Sequence, residues 1–325
     1  MSIWGTVCRR ALLAPFSDQT AHSRITFWTD TVRPSILIYN PASGRRLKDS
    51  AQQKLLDELK DGGFAVTPMP TQGPGDAVRL AREHAASGDI EVAFALGGDG
   101  TLREVATGLI GTDVALGVLP AGTANVLTFE LGISRKPIRT ARALKNADIR
   151  ELDVGFAGDI PFLMMVSGGL DAQVMATQNS AMKQRFGPAA IAASGLRRFF
   201  RWKSPMIDLE IDGVRESVAF FSVCNIPFFG GPFRLAPDAD AYDGALDLVT
   251  FATPGRAPLL GFVFSMLLGR HTKRKDVQNR RFQKLAIVGP LPWGLQMDGD
   301  VLPVELPCPV TVKQRALRVL VPRQA

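Results

Sequence analysis

At 325 residues, with 46% of positions hydrophobic and 21% charged, the chain can bury one large core or two smaller ones, and its composition excludes an intrinsically disordered protein. A formal net charge of +7 favours an anionic partner: a nucleotide, a nucleic acid or an acidic membrane face. The three cysteines (Cys8, Cys224, Cys308) and three histidines (His22, His84, His271) lie far apart and form neither a disulfide framework nor a zinc-ligand spacing, which fits a reducing cytoplasm.

Residues 1 to 32 read as an N-terminal extension, in which Arg9 and Arg10 precede a short apolar run that Pro15 ends. Residues 33–151 alternate strand and helix as a parallel sheet with crossover helices requires, and read as a nucleotide-binding α/β domain. Pro34 to Tyr39 is an apolar strand entering the turn residues Asn40, Pro41, Ser43 and Gly44. Leu47, Ala51, Leu55 and Leu59 recur at four-residue spacing on one face of a helix that stops at Gly62-Gly63. Phe64 to Met69 is the next strand and Ala77 to Ala86 the next helix. Ile90 to Leu96 is a buried strand entering Gly97-Gly98-Asp99-Gly100-Thr101 and a helix from Leu102 to Leu109. Val114 to Leu119 is another, entering Pro120-Ala121-Gly122-Thr123. Both Gly-rich turns sit at carboxyl ends of strands, where open α/β sheets place ligands.

Residues 152–325 read as a β-rich second domain whose last strands can pack back on the first. Ile207, Leu209 and Ile211 alternate with Asp208, Glu210 and Asp212, and Asp212-Gly213 is a hairpin-type turn. Strands are expected at Val218 to Val223, Leu246 to Phe251, Leu285 to Val288, Val301 to Leu306 and Leu317 to Val321, with helices near Ala172 to Gln184 and Leu259 to Leu268. No apolar run approaches the roughly 20 residues needed to span a bilayer.

The turn Gly97 to Thr101 leaves backbone amides and a helix N-terminus pointing at whatever docks there, and phosphate is the natural occupant. Asp99 would repel a bare phosphate and suits one carried with Mg²⁺; a tight turn with a helix cap is the other reading of these residues. Gly122-Thr123-Ala124-Asn125 offers similar donors and is equally readable as an N-cap.

In order along the chain, NPASG (40–44), Thr71 within TQGPGDA, GGDGTLREV (97–105), LPAGTANVL (119–127), LDVG (152–155), SGGLDA (167–172), GGPFRLAPDADAYDGALDL (230–248) and MDGD (297–300) resemble the diacylglycerol kinase catalytic-domain family, the ATP-dependent lipid kinases that include sphingosine and ceramide kinases. The resemblance implies a two-domain lipid kinase fold: an α/β N-terminal domain with a parallel sheet and Gly-rich nucleotide turns, plus the β-rich second domain, with the acceptor lipid between them. It implies ATP at Asn40, Pro41, Ala42, Ser43, Gly44, Thr71, Gly97, Gly98, Asp99, Gly100, Thr101, Leu102, Arg103, Gly122, Thr123 and Asn125. It implies a structural Mg²⁺ at Asp243, with Asp240 and Ala245 flanking, although Asp243-Gly244 alone reads as a hairpin turn. Asp300, Asp99 and Asp298 are the implied catalytic residues, with Asp300 as base for the lipid hydroxyl and Asp153 in a supporting or capping role. Three positions depart from the family pattern: Asp300 stands for Glu, Val126 for Asp, and Arg103 for Asn.

The resemblance implies phosphorylation of a lipid hydroxyl, diacylglycerol to phosphatidic acid or a related lipid, with a sphingoid base or ceramide as alternative acceptors. A non-catalytic nucleotide- or lipid-binding regulator is the third reading, encouraged by Asp300 and Val126. NAD kinases share GGDGT but not the later segments, and no G-x-G-x-x-G opens the first helix as a dehydrogenase needs. Phe199, Phe200 and Trp202 interleave with Arg197, Arg198, Arg201 and Lys203, and Arg270, His271, Lys273, Arg274 and Lys275 follow the apolar stretch 259–268. Such patches suit peripheral contact with the inner, anionic face of the membrane and equally suit solvated helix ends; no nucleic-acid motif accompanies them. A homodimer is left open.

Overall fold

The computed structural model describes residues 32–41, 49–176 and 205–323. Residues 1–31 of the expected extension 1–32, the turn residues Ala42, Ser43 and Gly44, Leu47 of the first expected helix, and the basic aromatic patch 197–203 lie outside the described residues.

Strands β1 (Arg33–Tyr39), β2 (Phe64–Pro70), β3 (Val92–Gly97) and β4 (Ala115–Pro120) pair in parallel in the order β2-β1-β3-β4. Both faces of this sheet are covered, which is why β1, β3 and β4 are nearly continuous apolar runs. Ile36 and Ile38 share a core with Ala77 and Ala81 of α2 (Asp76–Ser87) and with Leu102, Val105 and Leu109 of α3 (Asp99–Leu109). Leu37, one residue out of phase, shares the opposite core with Leu55 and Leu59 of α1 (Asp49–Asp61) and Ala141 of α5 (Pro137–Ala143), the short α4 (Leu127–Glu130) intervening. A Cβ on Gly108 would stand 2.6 Å from Ala81 Cβ, so α2 and α3 cross at a closeness only glycine permits. The chain moves from β1 out to β2 and then back across β1 to β3. The carboxyl ends of β1 and β3 therefore flank the point where the strand order reverses.

Strands β5 (Ala147–Ala157), β6 (Ile160–Phe162) and β7 (Met165–Gly168) and helix α6 (Leu170–Ala176) lead into the β-rich half. There β8 (Ile207–Ile211), β9 (Val214–Val218), β10 (Phe220–Cys224), β11 (Phe228–Phe229), β12 (Phe233–Arg234) and β13 (Asp247–Phe251) precede helix α7 (Arg256–Leu267). The last strands are β14 (Val277–Arg281), β15 (Leu285–Gly289), β16 (Leu295–Met297), β17 (Asp300–Leu302) and β18 (Cys308–Pro322). A six-stranded sheet runs β14-β13-β10-β7-β16-β17. One face packs Val166, Phe221, Val223 and Leu248 against Ile207, Leu209, Leu285 and Ile287 of β8 and β15. The other face packs Phe220 and Phe251 against α7, with Phe251 and Phe262 stacked at 4.9 Å.

The long β18 belongs to both halves. Its first part pairs with β15, and Val319 in its second part lies parallel to Leu116 of β4 while opposing Arg150 of β5. The α/β domain with its mostly parallel sheet and the β-rich domain agree with the fold expected from the sequence. Individual elements differ. The stretch 218–223 is two strands broken at Ala219, and the strand expected to reach Leu306 ends at Leu302 because Pro303 cannot donate to a ladder. The helix expected from Ala172 begins at Leu170 and is described to Ala176.

Candidate active site

The turns after β3 and β4 touch backbone to backbone. A Cβ on Gly122 would lie 2.4 Å from Gly98 Cα, and the Ala121 amide donates to Gly97 O at 2.8 Å. Asp99 joins the turns chemically: its Oδ2 accepts the Asn125 amide and its Oδ1 the Val126 amide, each at 2.9 Å. The carboxylate that the sequence reading gives to a Mg²⁺-supporting role is thus engaged in holding Asn125, whose φ of 47° is an unusual backbone state, in place. Asn125 in turn donates its Nδ2 to Gly122 O at 3.1 Å. The outcome is a rigid double turn at the start of α3, its helix N-terminus facing the crevice.

Thr71 and Asn40 close the crevice from β1 and β2. The Thr71 amide donates to Tyr39 O, and Glu104 Oε1 accepts the Gly75 amide at 3.3 Å, tying the loop after β2 to α3. Burial pushes the Glu104 carboxyl above its ordinary pKa. Glu104 lies inside the quoted GGDGTLREV stretch, yet nothing in the sequence signals this tie.

From the second domain, the β16–β17 turn brings Asp298 and Asp300 to the same place, with different surroundings. Asp298 is 2% exposed, and its carboxylate accepts the amides of Leu163, Met164 and Met165 at 2.7 to 3.0 Å. It locks the turn to β7. Asp300 is partly exposed and lies over the first turn of α3, where a Cβ on Gly100 would come 3.0 Å from its Oδ2. The same oxygen accepts a hydrogen bond from Arg103 Nη2 at 3.0 Å. Two departures from the family pattern, Arg103 and Asp300, are therefore direct partners 197 residues apart.

Beside the double turn lies an apolar cavity of about 380 Å³. Ala124 and Val126 line it from the first domain, and Met164, Met165, Phe220, Phe262 and Met266 from the second. Val126, where the family often has Asp, is one of its apolar walls. The few polar groups on the wall include Asp99, Asp298, Gln296 and Asp171. Asp171 sits within hydrogen-bond reach of Ser167 Oγ, which is 2.8 Å from Gln296 Oε1; its other oxygen, Oδ1, is buried without a partner. Burial raises the Asp171 pKa to about 6. The SGGLDA motif contains Asp171, but its place on the wall of the apolar cavity is visible only in three dimensions.

The implied Mg²⁺ ligands lie elsewhere. Asp243 Oδ1 accepts the Ala245 amide at 3.0 Å, its Oδ2 is held by Arg281, and Asp240 Oδ1 accepts the Tyr242 amide at 3.0 Å. Arg281 Nε also lies 3.9 Å from Asp247. A guanidinium already neutralises this carboxylate pair, and no cluster of three metal-ligating side chains occurs among the described residues. The side chains alone do not make a Mg²⁺ site here; a metal at this turn would depend on main-chain oxygens beside Asp243, and no step of the reaction passes through it. The adjoining Gly244, at φ 79°, donates its amide to Asp153 Oδ2 at 2.6 Å, while Asp153 Oδ1 accepts the Arg315 amide at 2.7 Å. Asp153 is accordingly a buried framework residue.

Known proteins are similar to this chain over both of its halves. Residues 34–157 match the diacylglycerol kinase catalytic domain, and residues 164–321 match the YegS C-terminal NAD kinase beta sandwich-like domain. A diacylglycerol kinase from Bacillus subtilis is 28% identical over 269 residues, covering 81% of this chain and 88% of that protein. A Pseudomonas putida protein described as "Probable lipid kinase YegS-like" is 34% identical over 215 residues, covering 65% and 72%. The crystal structure of a diacylglycerol kinase from Bacillus anthracis superposes with a TM-score of 0.70 at 21% identity, covering 88% of this chain and 96% of that one, and shows the same fold. The chain belongs to the diacylglycerol kinase catalytic-domain family, kinases whose acceptor is an alcohol group.

Proposed function

We propose that the protein transfers the γ-phosphoryl group of MgATP to the hydroxyl of a long-chain lipid, diacylglycerol being the acceptor of first choice. The observation that carries this reading is the apolar cavity beside the double Gly-rich turn, lined by Asp99, Ala124 and Val126 of the turns themselves; the reading gives the cavity the lipid chain and the turns the phosphates. ATP phosphates lie against the turn Gly98 to Thr101 and the turn Gly122 to Ala124, which Asp99 and Asn125 hold in shape. The metal enters with the nucleotide as part of the substrate. Phosphoryl transfer needs position and charge neutralisation more than covalent help from the protein. The acceptor oxygen attacks the γ-phosphorus, the bond to the bridging oxygen of ADP breaks, and the hydroxyl proton passes to the Asp300 carboxylate. Asp99 and Asp298 act one step back: each holds, through backbone amides, a turn that the reacting groups depend on.

Asp171 supports a second reading. A buried carboxyl with an unused oxygen in an apolar wall suits an acceptor carrying a further donor near its reacting hydroxyl. A sphingoid base, with its amine, or ceramide, with its amide, meets that description. Peripheral contact with an anionic membrane completes the proposal, since the acceptor is drawn from one. Radiolabelled ATP assayed against diacylglycerol, a sphingoid base, ceramide and phosphatidylglycerol in detergent separates the acceptors. Nucleotide binding without turnover on any of them would leave the regulator reading in its place.

A further inference from the structure

Helix α7 has no polar side. Leu259, Phe262, Val263 and Met266, at helical spacing, line the acceptor cavity. Leu260, Phe264, Leu267 and the following Leu268 form a second stripe, 56%, 63%, 47% and 54% exposed. Half of the exposed large hydrophobic residues among those described fall in these nine positions. A helix packed on a soluble core would place charged or polar residues there. The only polar side chain inside the helix after Arg256 is Ser265, which bonds back to Phe262 O. Immediately beyond the stripe, Arg270, Lys273 and Lys275 are exposed and form no ion pair among the described residues.

We infer that the outer face of α7 inserts into an anionic bilayer, so that one helix serves as both the wall of the acceptor site and the membrane anchor. This inference rests on the lipid-kinase reading for the source of the acceptor, and names the surface that meets the bilayer. Two observations select a bilayer over a second copy of the chain. The basic cluster at the end of the stripe complements anionic headgroups, and like charges would face one another across a dimer built on it. The inner face of the same helix already lines the cavity, so insertion puts a single helix thickness between the hydrocarbon and the acceptor site.

The test is sedimentation with vesicles of phosphatidylglycerol and phosphatidylcholine, without nucleotide, comparing wild type with Leu260→Ser/Phe264→Ser/Leu267→Ser. The variant should lose at least about tenfold in vesicle affinity while keeping wild-type turnover on detergent-dispersed lipid, and Lys273→Glu/Lys275→Glu should lose the preference for phosphatidylglycerol over pure phosphatidylcholine. Unchanged sedimentation of the triple variant overturns the inference, as does a shift from dimer to monomer on ultracentrifugation with vesicle binding intact. Should the triple variant fold poorly, Phe264→Trp replaces it: brominated lipid should quench the new fluorescence, and an unquenched indole overturns docking. Absence of lipid phosphorylation by wild type in detergent would count against the kinase reading alone, because sedimentation needs no turnover.

Discussion

Asp300 lacks one methylene of the glutamate usual in its family, and the structure shows what stands around the shorter carboxylate. Arg103, where the family commonly has Asn, reaches Asp300 Oδ2, and the gap between that carboxylate and Gly100 is too small for a methyl group. The two departures read as one compensated change. Asp300→Asn should lower kcat by about two to four orders of magnitude, the usual contribution of a positioned base. Asp300→Glu alone should also lose activity, because the added methylene pushes the carboxylate against Gly100 and away from Arg103. Arg103→Asn combined with Asp300→Glu should recover much of that loss, with a coupling of about 1 to 3 kcal/mol in a double-mutant cycle on kcat. Additive losses would show the pair to be independent. Asp171 makes a second residue-scale prediction. One Ser167 hydroxyl has a single proton for two acceptors, Asp171 and Gln296, so a proton on Asp171 completes the chain. Its pKa is raised from 3.8 to about 6, so between those values the folded state keeps a proton that the unfolded state has released. Stability then falls as pH rises through this window, by on the order of 3 kcal/mol at neutral pH. Asp171→Asn, which carries a permanent donor, should flatten the dependence of Tm on pH between about 4 and 6 and raise Tm at pH 7. It should lower kcat/KM for the lipid and leave KM for ATP unchanged.

At the scale of elements, legibility followed how much of each signal is local. The parallel strands and their helices were readable because both periodicities are written in consecutive residues: Ile36, Leu37 and Ile38 fill both faces of β1, and Leu55 and Leu59 recur one turn apart. The glycine turns are legible as tight strand-to-helix turns, since three glycines after a buried strand let the backbone fold sharply. What could not be read was contact at long range. Nothing near Asp99 in sequence shows that its partners are the amides of Asn125 and Val126, and nothing near Asp298 shows that it accepts the amides of Leu163, Met164 and Met165. The eleven-residue β5 carries no such local signal, because it mixes exposed charges with buried residues. The double turn predicts a mutational asymmetry. Gly122→Ala should abolish measurable ATP binding in calorimetry, as its Cβ would meet Gly98 Cα at 2.4 Å. Gly75→Ala meets no atom within 4 Å and should cost only the strain of its positive φ, about 1 kcal/mol of stability, with ATP binding retained. Equal effects would mean that contact between the turns does not govern nucleotide affinity.

At the scale of the whole molecule, the two domains share a strand. The first residues of β18, Cys308 to Val310, pair with β15, Val319 lies beside β4, and β5 runs along both parts of the strand, with the ladder interrupted between Lys313 and Leu317. At the interruption, Arg315 has φ 48° and donates its amide to Asp153, which also holds Gly244. Separating the domains would therefore require β18 to leave the first sheet and Asp153 to release two amides, each costing about 1 to 3 kcal/mol if left buried and unpaired. The prediction is that the chain unfolds as one cooperative unit despite its two cores. Wild type should give a single calorimetric endotherm whose van't Hoff and calorimetric enthalpies agree. A non-hydrolysable ATP analogue, whose proposed contacts lie mainly on the first domain, should shift that entire endotherm upward, by about 2.7 kcal/mol at a hundredfold excess over its Kd. Asp153→Ala should lower Tm and begin to split the transition, since the link between the halves loses its two amide partners. Two resolved endotherms in wild type, only one of them moved by the nucleotide, would show that the shared strand does not couple the domains.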